Sequence, residues 1–363
     1  MKVAFDHQIF AQQRYGGISR YFYELATRLS ADTEVSVIAP LYINSYLAAE
    51  SGRILTRGKH VRSGSKFALS AVDLVNRFAL PPAWRGLNPD IVHETYFAMK
   101  PAGRGRRRVV TMYDMIYELF ADEFPDAKQV TAAKRAAVNR ADRVICISET
   151  TRRDLVRLCD VDPARTSVVH LGYSMTDDAT DDEQPRLEGR PTLLYVGNRR
   201  GYKNFGTLLK AYASSPVLRE FELVAFGGHG VLREEQRQIS RLGLNERVRF
   251  ESGADRELAA RYRAASAFIY PSMYEGFGIP PLEAMSHGCP VVCSNAGSIP
   301  EVVGDAGLYF DPTSVEDLRT VLERVVTTDQ LQTDLRARGY ARLDEFSWDK
   351  CAAETLQIYT QIA

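Results

Sequence analysis

The sequence predicts an α/β fold in two halves, each a parallel sheet covered by helices. Three observations carry that expectation. Short apolar runs alternate with longer stretches whose apolar residues recur at helical spacing, the pattern of βαβ units. The length, 363 residues, exceeds one ordinary core, at about 100–200 residues per domain. Residues 176–190 are rich in Asp, Glu and other polar residues and carry no apolar period, so they separate the halves as an exposed linker.

In the first half the strand candidates are 2–5, 34–39, 90–93, 108–112 and 143–147, with helices at 19–29 and around 128–140. The alternation restarts after the break with strand candidates at 193–196, 223–226, 248–250, 267–270 and 290–293. Ligands of open parallel sheets bind beyond the carboxyl ends of the strands. Two such halves facing each other make a cleft.

Composition excludes several classes. Forty-six Lys and Arg balance forty-six Asp and Glu, so the basic excess of a dedicated nucleic-acid binder is missing. A chain 45% hydrophobic and 25% charged belongs with folded globular proteins rather than disordered ones. No apolar run approaches the ~20 residues of a membrane span. The opening residues lack the apolar core of a secretory signal, so a cytoplasmic enzyme is expected. The five cysteines are scattered. Cys289 and Cys293 have only His287 nearby, too few ligands for a zinc site, and all five read as reduced thiols. The acids Asp177, Asp178, Asp181, Asp182 and Glu183 fall in the linker, where flexible chain preorganises metal ligands poorly. No metal and no cofactor is expected.

The chemistry concentrates in three segments. Residues 271–289 read Pro-Ser-Met-Tyr-Glu-Gly-Phe-Gly-Ile-Pro-Pro-Leu-Glu-Ala-Met-Ser-His-Gly-Cys. A strand ends into a loop with Gly276 and Gly278, which permit close backbone approach to a ligand. Pro280 and Pro281 then suit the first turn of a helix, where Glu283 is also expected. A helix N-terminus there suits a diphosphate. Glu275 and Glu283 can accept hydrogen bonds from different hydroxyls of one ligand; the bland alternative is two solvated surface charges. The second segment, 195–204, carries Arg199, Arg200 and Lys203 after a strand. Arg199 offers a planar fork and Lys203 a point charge, both suited to a diphosphate. The third, 15–20, places Gly16 and Gly17 before a helix, again an anion-friendly terminus.

Taken together, Glu275-Gly276-Phe277-Gly278 with Glu283, the continuation Pro290-Val291-Val292 and the run 297–302 resemble the Glu-x7-Glu signature of the retaining glycosyltransferases of family 4, which have the GT-B fold. The resemblance implies two facing Rossmann-like domains: an acceptor-side domain 1–172, a linker 173–190, and a donor-binding domain 191–345, with 346–363 returning to the first. It implies a role for each matching residue. Glu275 would bind donor-sugar hydroxyls and Glu283 the ribose. Phe277, Gly278 and Ile279 would bring backbone N–H groups to the sugar and phosphates. Arg199 and Lys203 would neutralise the diphosphate, in place of a metal ion. Gly16 and Gly17 would approach the donor phosphate, and Gly227 would form the glycine turn near the nucleotide.

Two segments depart from the family pattern. A His-Asp pair usual there is Tyr113-Asp114 here, and the Pro-Asn-Gly of the hinge is His170-Leu171-Gly172. Tyr113 can donate a hydrogen bond, and Asp114 can orient or deprotonate an acceptor hydroxyl; a buried structural aspartate fits as well. His7 and His93 end strands and are acceptor-side candidates, with a structural role open for His93.

The activity so implied moves a hexosyl group, mannosyl favoured, with retention from a GDP- or UDP-sugar to a glycan or lipid-linked glycan in surface polysaccharide synthesis. A nucleotide-sugar epimerase or phosphorylase, and a non-catalytic nucleotide-sugar binder, are the alternatives. Residues 51–110 hold twelve Lys and Arg against Asp73, Asp90 and Glu94, with apolar residues interleaved. That pattern fits peripheral docking on an anionic membrane at the cytoplasmic inner face, or an amphipathic helix packed on its own domain.

Overall fold

The computed structural model describes residues 1–50, 52–62, 65–173 and 190–363. The linker acids Asp177 to Glu183 lie outside the described residues. The chain divides into two compact units. Unit 1 comprises Met1–Gly172 with Trp348–Ala363, and unit 2 comprises Tyr173–Ser347.

Among the described residues unit 1 holds seven strands: β1 (Lys2–Phe5), β2 (Glu34–Tyr42), β3 (Leu55–His60), β4 (Ile91–Glu94), β5 (Arg107–Met112), β6 (Arg143–Cys146) and β7 (Thr166–Val168). All pair in parallel, in the order β3-β2-β1-β4-β5-β6-β7. The central strands are mostly apolar because both faces are covered: β1 is buried after its first residue, and β4 throughout, its His93 and Glu94 being held by side-chain partners. β1 and β4 are neighbours although far apart in sequence, so the topological switch lies between them.

Unit 2 holds β8 (Thr192–Val196), β9 (Glu222–Phe226), β10 (Val248–Glu251), β11 (Ala265–Tyr270), β12 (Val291–Ser294) and β13 (Gly307–Phe310). They form a parallel six-stranded sheet, β10-β9-β8-β11-β12-β13, with its switch between β8 and β11. Leu193, Tyr195, Leu223, Ala225 and Ile269 pack against Leu208, Leu209 and Tyr212 of helix Phe205–Ser214 in one core.

Three strands escaped the sequence reading, β3, β7 and β13, and all lie at sheet edges. An edge strand is half exposed and needs no continuous apolar run. In β3, Gly58 passes so close to β2 that a Cβ would stand 1.6 Å from the Ala39 carbonyl oxygen.

The last helix, Trp348–Ile362, packs on helix Gly17–Leu29 of unit 1. It buries Trp348, Cys351, Ala352, Thr355, Ile358 and Tyr359, and Trp348 lies 6.3 Å from the Tyr21 ring. A buried polar chain fixes its register. Tyr21 Oη bonds Thr111 Oγ1 at 3.1 Å, Thr111 bonds His93 Nε2 at 2.9 Å, and His93 Nδ1 bonds Tyr359 Oη at 2.5 Å. Arg28 adds an ion pair to Asp349 at 2.6 Å.

The basic stretch 51–110 separates into parts. Arg107 meets Asp142, and Arg108 meets the buried Glu94 at 2.5 Å, so both serve the sheet. Helix Lys66–Ala83 buries Val72 and Asn76, whose side-chain amide bridges the Leu41 backbone, and exposes Leu74, Val75 and Phe78.

Candidate functional site

The switch point of unit 2 brings two sequence motifs together. The loop after β8 carries Lys203 and the loop after β11 carries Glu275, and Lys203 Nζ lies 2.7 Å from Glu275 Oε1. Seventy-two residues separate them in sequence. The loops are stitched first: Met273 N–H donates to the Tyr202 carbonyl at 2.7 Å. Asn204, in the left-handed region, donates its amide to the Pro271 and Pro312 carbonyls at 3.1 and 2.8 Å.

Glu275 is held from behind as well. The Ser298 hydroxyl donates to the Glu275 and Phe277 carbonyls at 2.9 and 2.8 Å. Gly297, at φ +61°, lies against the same backbone; a Cβ there would be 2.8 Å from Glu275 N. The Tyr270 hydroxyl bonds the Glu275 carboxylate, and burial followed by that carboxylate raises its pKa well above the usual phenol range. The phenol therefore stays a neutral donor. A carboxylate able to accept hydroxyl donors and an ammonium able to offset negative charge thus stand side by side.

Helix Ile279–Ser286 starts at Gly278, whose φ of 108° favours glycine. Pro280 and Pro281 lack N–H groups, so the donors at this terminus are Gly278 and Ile279, neither partnered among the described residues. Glu283 is the fifth helical residue and lies in the second turn, not the first as expected, because the helix begins ahead of both prolines. It is partly exposed, and its Oε2 accepts from the Tyr262 hydroxyl at 3.4 Å. The Phe277 ring is buried 5.7 Å from Phe346, so that side chain anchors the loop.

Arg199 does not present an open fork. Its side chain is 1% exposed and pairs with Glu235 at 3.1 Å. One terminal nitrogen donates to the Gly227 carbonyl at 2.9 Å, another to the His229 carbonyl, and the group covers the Phe250 ring at 4.8 Å. It ties the loop after β8 to the glycine turn after β9, where Gly227 has φ +79°. Arg200 is the exposed neighbour. The sequence shows an arginine pair; which one turns inward depends on Glu235, 36 residues away.

In unit 1, Gly16 caps helix Gly17–Leu29, and the Gln13 side chain accepts from the Ser19 N–H at 3.2 Å. A Cβ on Gly16 would collide with that glutamine, whereas Gly17 has open space. His7 follows β1 and is partly exposed; its Nδ1 has no partner among the described residues, and burial lowers its pKa against the opposing pull of Asp6.

Two acceptor-side expectations are corrected by burial. His93 has both ring nitrogens engaged, and burial pushes its pKa down to about 3, so it is a neutral core residue holding the last helix. Tyr113 is buried and donates to the Thr95 carbonyl at 3.2 Å. Asp114 stays partly exposed: Oδ1 accepts from Ile116 N–H at 3.0 Å and from Lys134 at 3.2 Å. Sequence reading missed Lys134, which sits in an ordinary helical pattern, and gave Asp6 no role. Asp6 is fully buried and accepts four hydrogen bonds from Gln8 and Thr95.

Among the described residues no group of three or more His, Cys, Asp or Glu is arranged to hold a metal ion. No described helix is long and apolar enough to cross a membrane.

Two family models match successive parts of the chain: glycosyltransferase family 4 over residues 15–177 and glycosyl transferases group 1 over 177–342. The chain is 29% identical to the O-antigen chain mannosyltransferase B of Escherichia coli, across 94% of this chain and 95% of that protein. Among solved structures, sucrose-phosphate synthase of Thermosynechococcus elongatus superposes with TM-score 0.76 at 21% identity, covering 99% of this chain and 98% of that one. The HepE protein of Anabaena, in complex with UDP and glucose, superposes with TM-score 0.73 at 19% identity, covering 99% and 100%. Both units are Rossmann-like, and the fold is that of GT-B glycosyltransferases. The chain belongs to glycosyltransferase family 4, group 1, and is a glycosyltransferase.

Proposed function

We propose that this enzyme is a retaining hexosyltransferase, favouring mannose, that uses a nucleoside diphosphate sugar to extend a glycan or lipid-linked glycan in surface polysaccharide synthesis. The observation that carries the reading is the Lys203–Glu275 pair at the β8/β11 switch, 2.7 Å apart. A glycosyl phosphate bond has hydroxyls on one side and negative charge on the other. Glu275 serves the first and Lys203 the second. The Gly278 and Ile279 N–H groups add donors for the departing diphosphate, and Glu283 serves the ribose. Fixed groups of this kind do the work of a divalent ion. The name of the E. coli mannosyltransferase supports the sugar and the process, and the UDP and glucose of the Anabaena complex support the donor class.

The test is release of nucleoside diphosphate from GDP-mannose and UDP-glucose with EDTA present, and the anomer of the product by NMR. Glu275→Ala should reduce release by about 10²–10³, the usual loss on removing one electrostatic stabiliser. Equal turnover in that variant would overturn the role of Glu275, an inverted anomer would overturn retention, and inhibition by EDTA would overturn metal independence.

The reading includes peripheral docking of unit 1 on an anionic bilayer at the cytoplasmic inner face. Leu74, Val75 and Phe78 share the exposed side of helix Lys66–Ala83, Phe78 at 76% exposure, and Arg53, Lys59, Arg62 and Arg85 are exposed nearby in sequence. Phe78→Ser with Leu74→Ser should abolish co-sedimentation with anionic vesicles at low salt. No binding by the native chain would defeat this part.

A further inference from the structure

Resting on the glycosyltransferase reading, we propose that the acceptor site of unit 1 takes an uncharged sugar and discriminates against one that carries phosphate. β1, β4 and β5 deliver His7, Tyr96 and Asp114 to one end of the sheet, at its topological switch. The charge there is acidic. Lys134, its side chain 3% exposed, meets Asp114 at 3.2 Å and Glu118 at 3.0 Å. It also lies 5.8 Å from the Phe97 ring centre and 5.5 Å from that of Tyr117. Its charge is spent on two carboxylates and two rings. Asp6, a third carboxylate, is satisfied by neutral donors alone. A phosphate entering here meets the partly exposed Asp114 carboxylate, with the buried carboxylates of Glu118 and Asp6 behind it and one committed ammonium.

Hydroxyl donors, by contrast, are wanted. The Glu118 side chain is 6% exposed, and its Oε1 is buried with no donor among the described residues. Oδ2 of the partly exposed Asp114 has no partner among the described residues. A carboxylate oxygen left without a donor is costly, and Asp114, 28% exposed, offers the oxygen that a sugar hydroxyl can reach. Tyr96, Tyr117 and Phe124 are partly exposed, and the last two stand 4.5 Å apart. Aromatic faces of this kind receive the C–H face of a pyranose. Burial, then Tyr117, Asp114 and Asp126, push the Tyr96 hydroxyl up to about 12, so it remains a neutral donor.

The experiment compares binding of methyl glycosides of mannose, glucose and galactose with the matching sugar 6-phosphates, by saturation-transfer NMR titration of the full chain at low salt. At least one neutral sugar should bind about tenfold or more tighter than its phosphate, about 1.4 kcal/mol, and the gap should shrink as salt screens it. Asp126→Lys, an exposed change near Tyr96, should narrow the gap at least threefold while leaving donor hydrolysis unchanged. Equal or tighter binding of the phosphates to the native chain would overturn the proposal, and so would absence of binding by every sugar. Failure of the glycosyltransferase reading shows separately, as no nucleoside diphosphate release from any donor, because the binding ratio is measured without donor.

Discussion

Arg199→Ala tests whether this arginine works for the fold before it works for a ligand. The substitution removes a guanidinium that is 1% exposed and leaves Glu235, its partner at 3.1 Å, 10% exposed and without its cation. Breaking a buried pair from one side costs about 3–5 kcal/mol, since the abandoned charge must be hydrated or protonated. The carbonyls of Gly227 and His229 lose donors too. Unit 2 spans about 175 residues, for which about 2–4 °C of melting temperature follows each kcal/mol, so its transition should fall by about 6–20 °C. Differential scanning calorimetry reads it. Glu235→Gln removes the abandoned charge and keeps an oxygen for the Leu232 N–H, which Glu235 now accepts at 2.8 Å. Adding it to Arg199→Ala should therefore recover about half the loss. A fall below about 2 °C in the single variant, with diphosphate release abolished, would refute the reasoning and return Arg199 to direct ligand contact.

Gly297→Ala should lower turnover by about tenfold or more with melting temperature changed by only a few degrees, because the new Cβ presses on the backbone that aims Glu275; unchanged kinetics would show that this loop yields freely. His93 makes stability fall with acid. Its folded pKa of about 3 lies below the ordinary 6.5, so the unfolded chain takes up a proton that the folded chain refuses. Stability is lost as pH drops from about 6.5 toward 3, by up to about 1.4 kcal/mol per unit. Urea midpoints at pH 7 and pH 5 should diverge less in His93→Gln than in the native chain, and equal divergence would contradict the assignment. Truncation after Ser347 removes Trp348 and Tyr359 from unit 1 and should abolish its cooperative transition, whereas Tyr359→Phe should cost about 1–3 kcal/mol by leaving His93 Nδ1 unsatisfied. A truncated chain that melts like the native one would refute the role of the last helix.

The alternation of apolar runs and helical periods was enough for the parallel α/β class, because strands buried on both faces are mostly apolar. The same rule hid β3, an exposed edge strand rich in polar residues, while β7 and β13 escaped because they are only three and four residues long. Glu275, Lys203, Gly278 and Ile279 were singled out by the loops they occupy and by the resemblance to family 4, and the structure pairs Lys203 with Glu275 at one switch point, with the helix starting at Gly278 on the same loop. Arg199 and Arg200 are indistinguishable as neighbours in sequence, as were His7 and His93 as strand-end histidines. What separates each pair is a distant partner. Glu235 draws Arg199 inward, and Tyr359, 266 residues from His93, turns a candidate ligand contact into part of the core. Spacing along the chain determined which chemistry was present. Burial and long-range pairing, which local sequence does not encode, decided which of those groups still have an atom free to use.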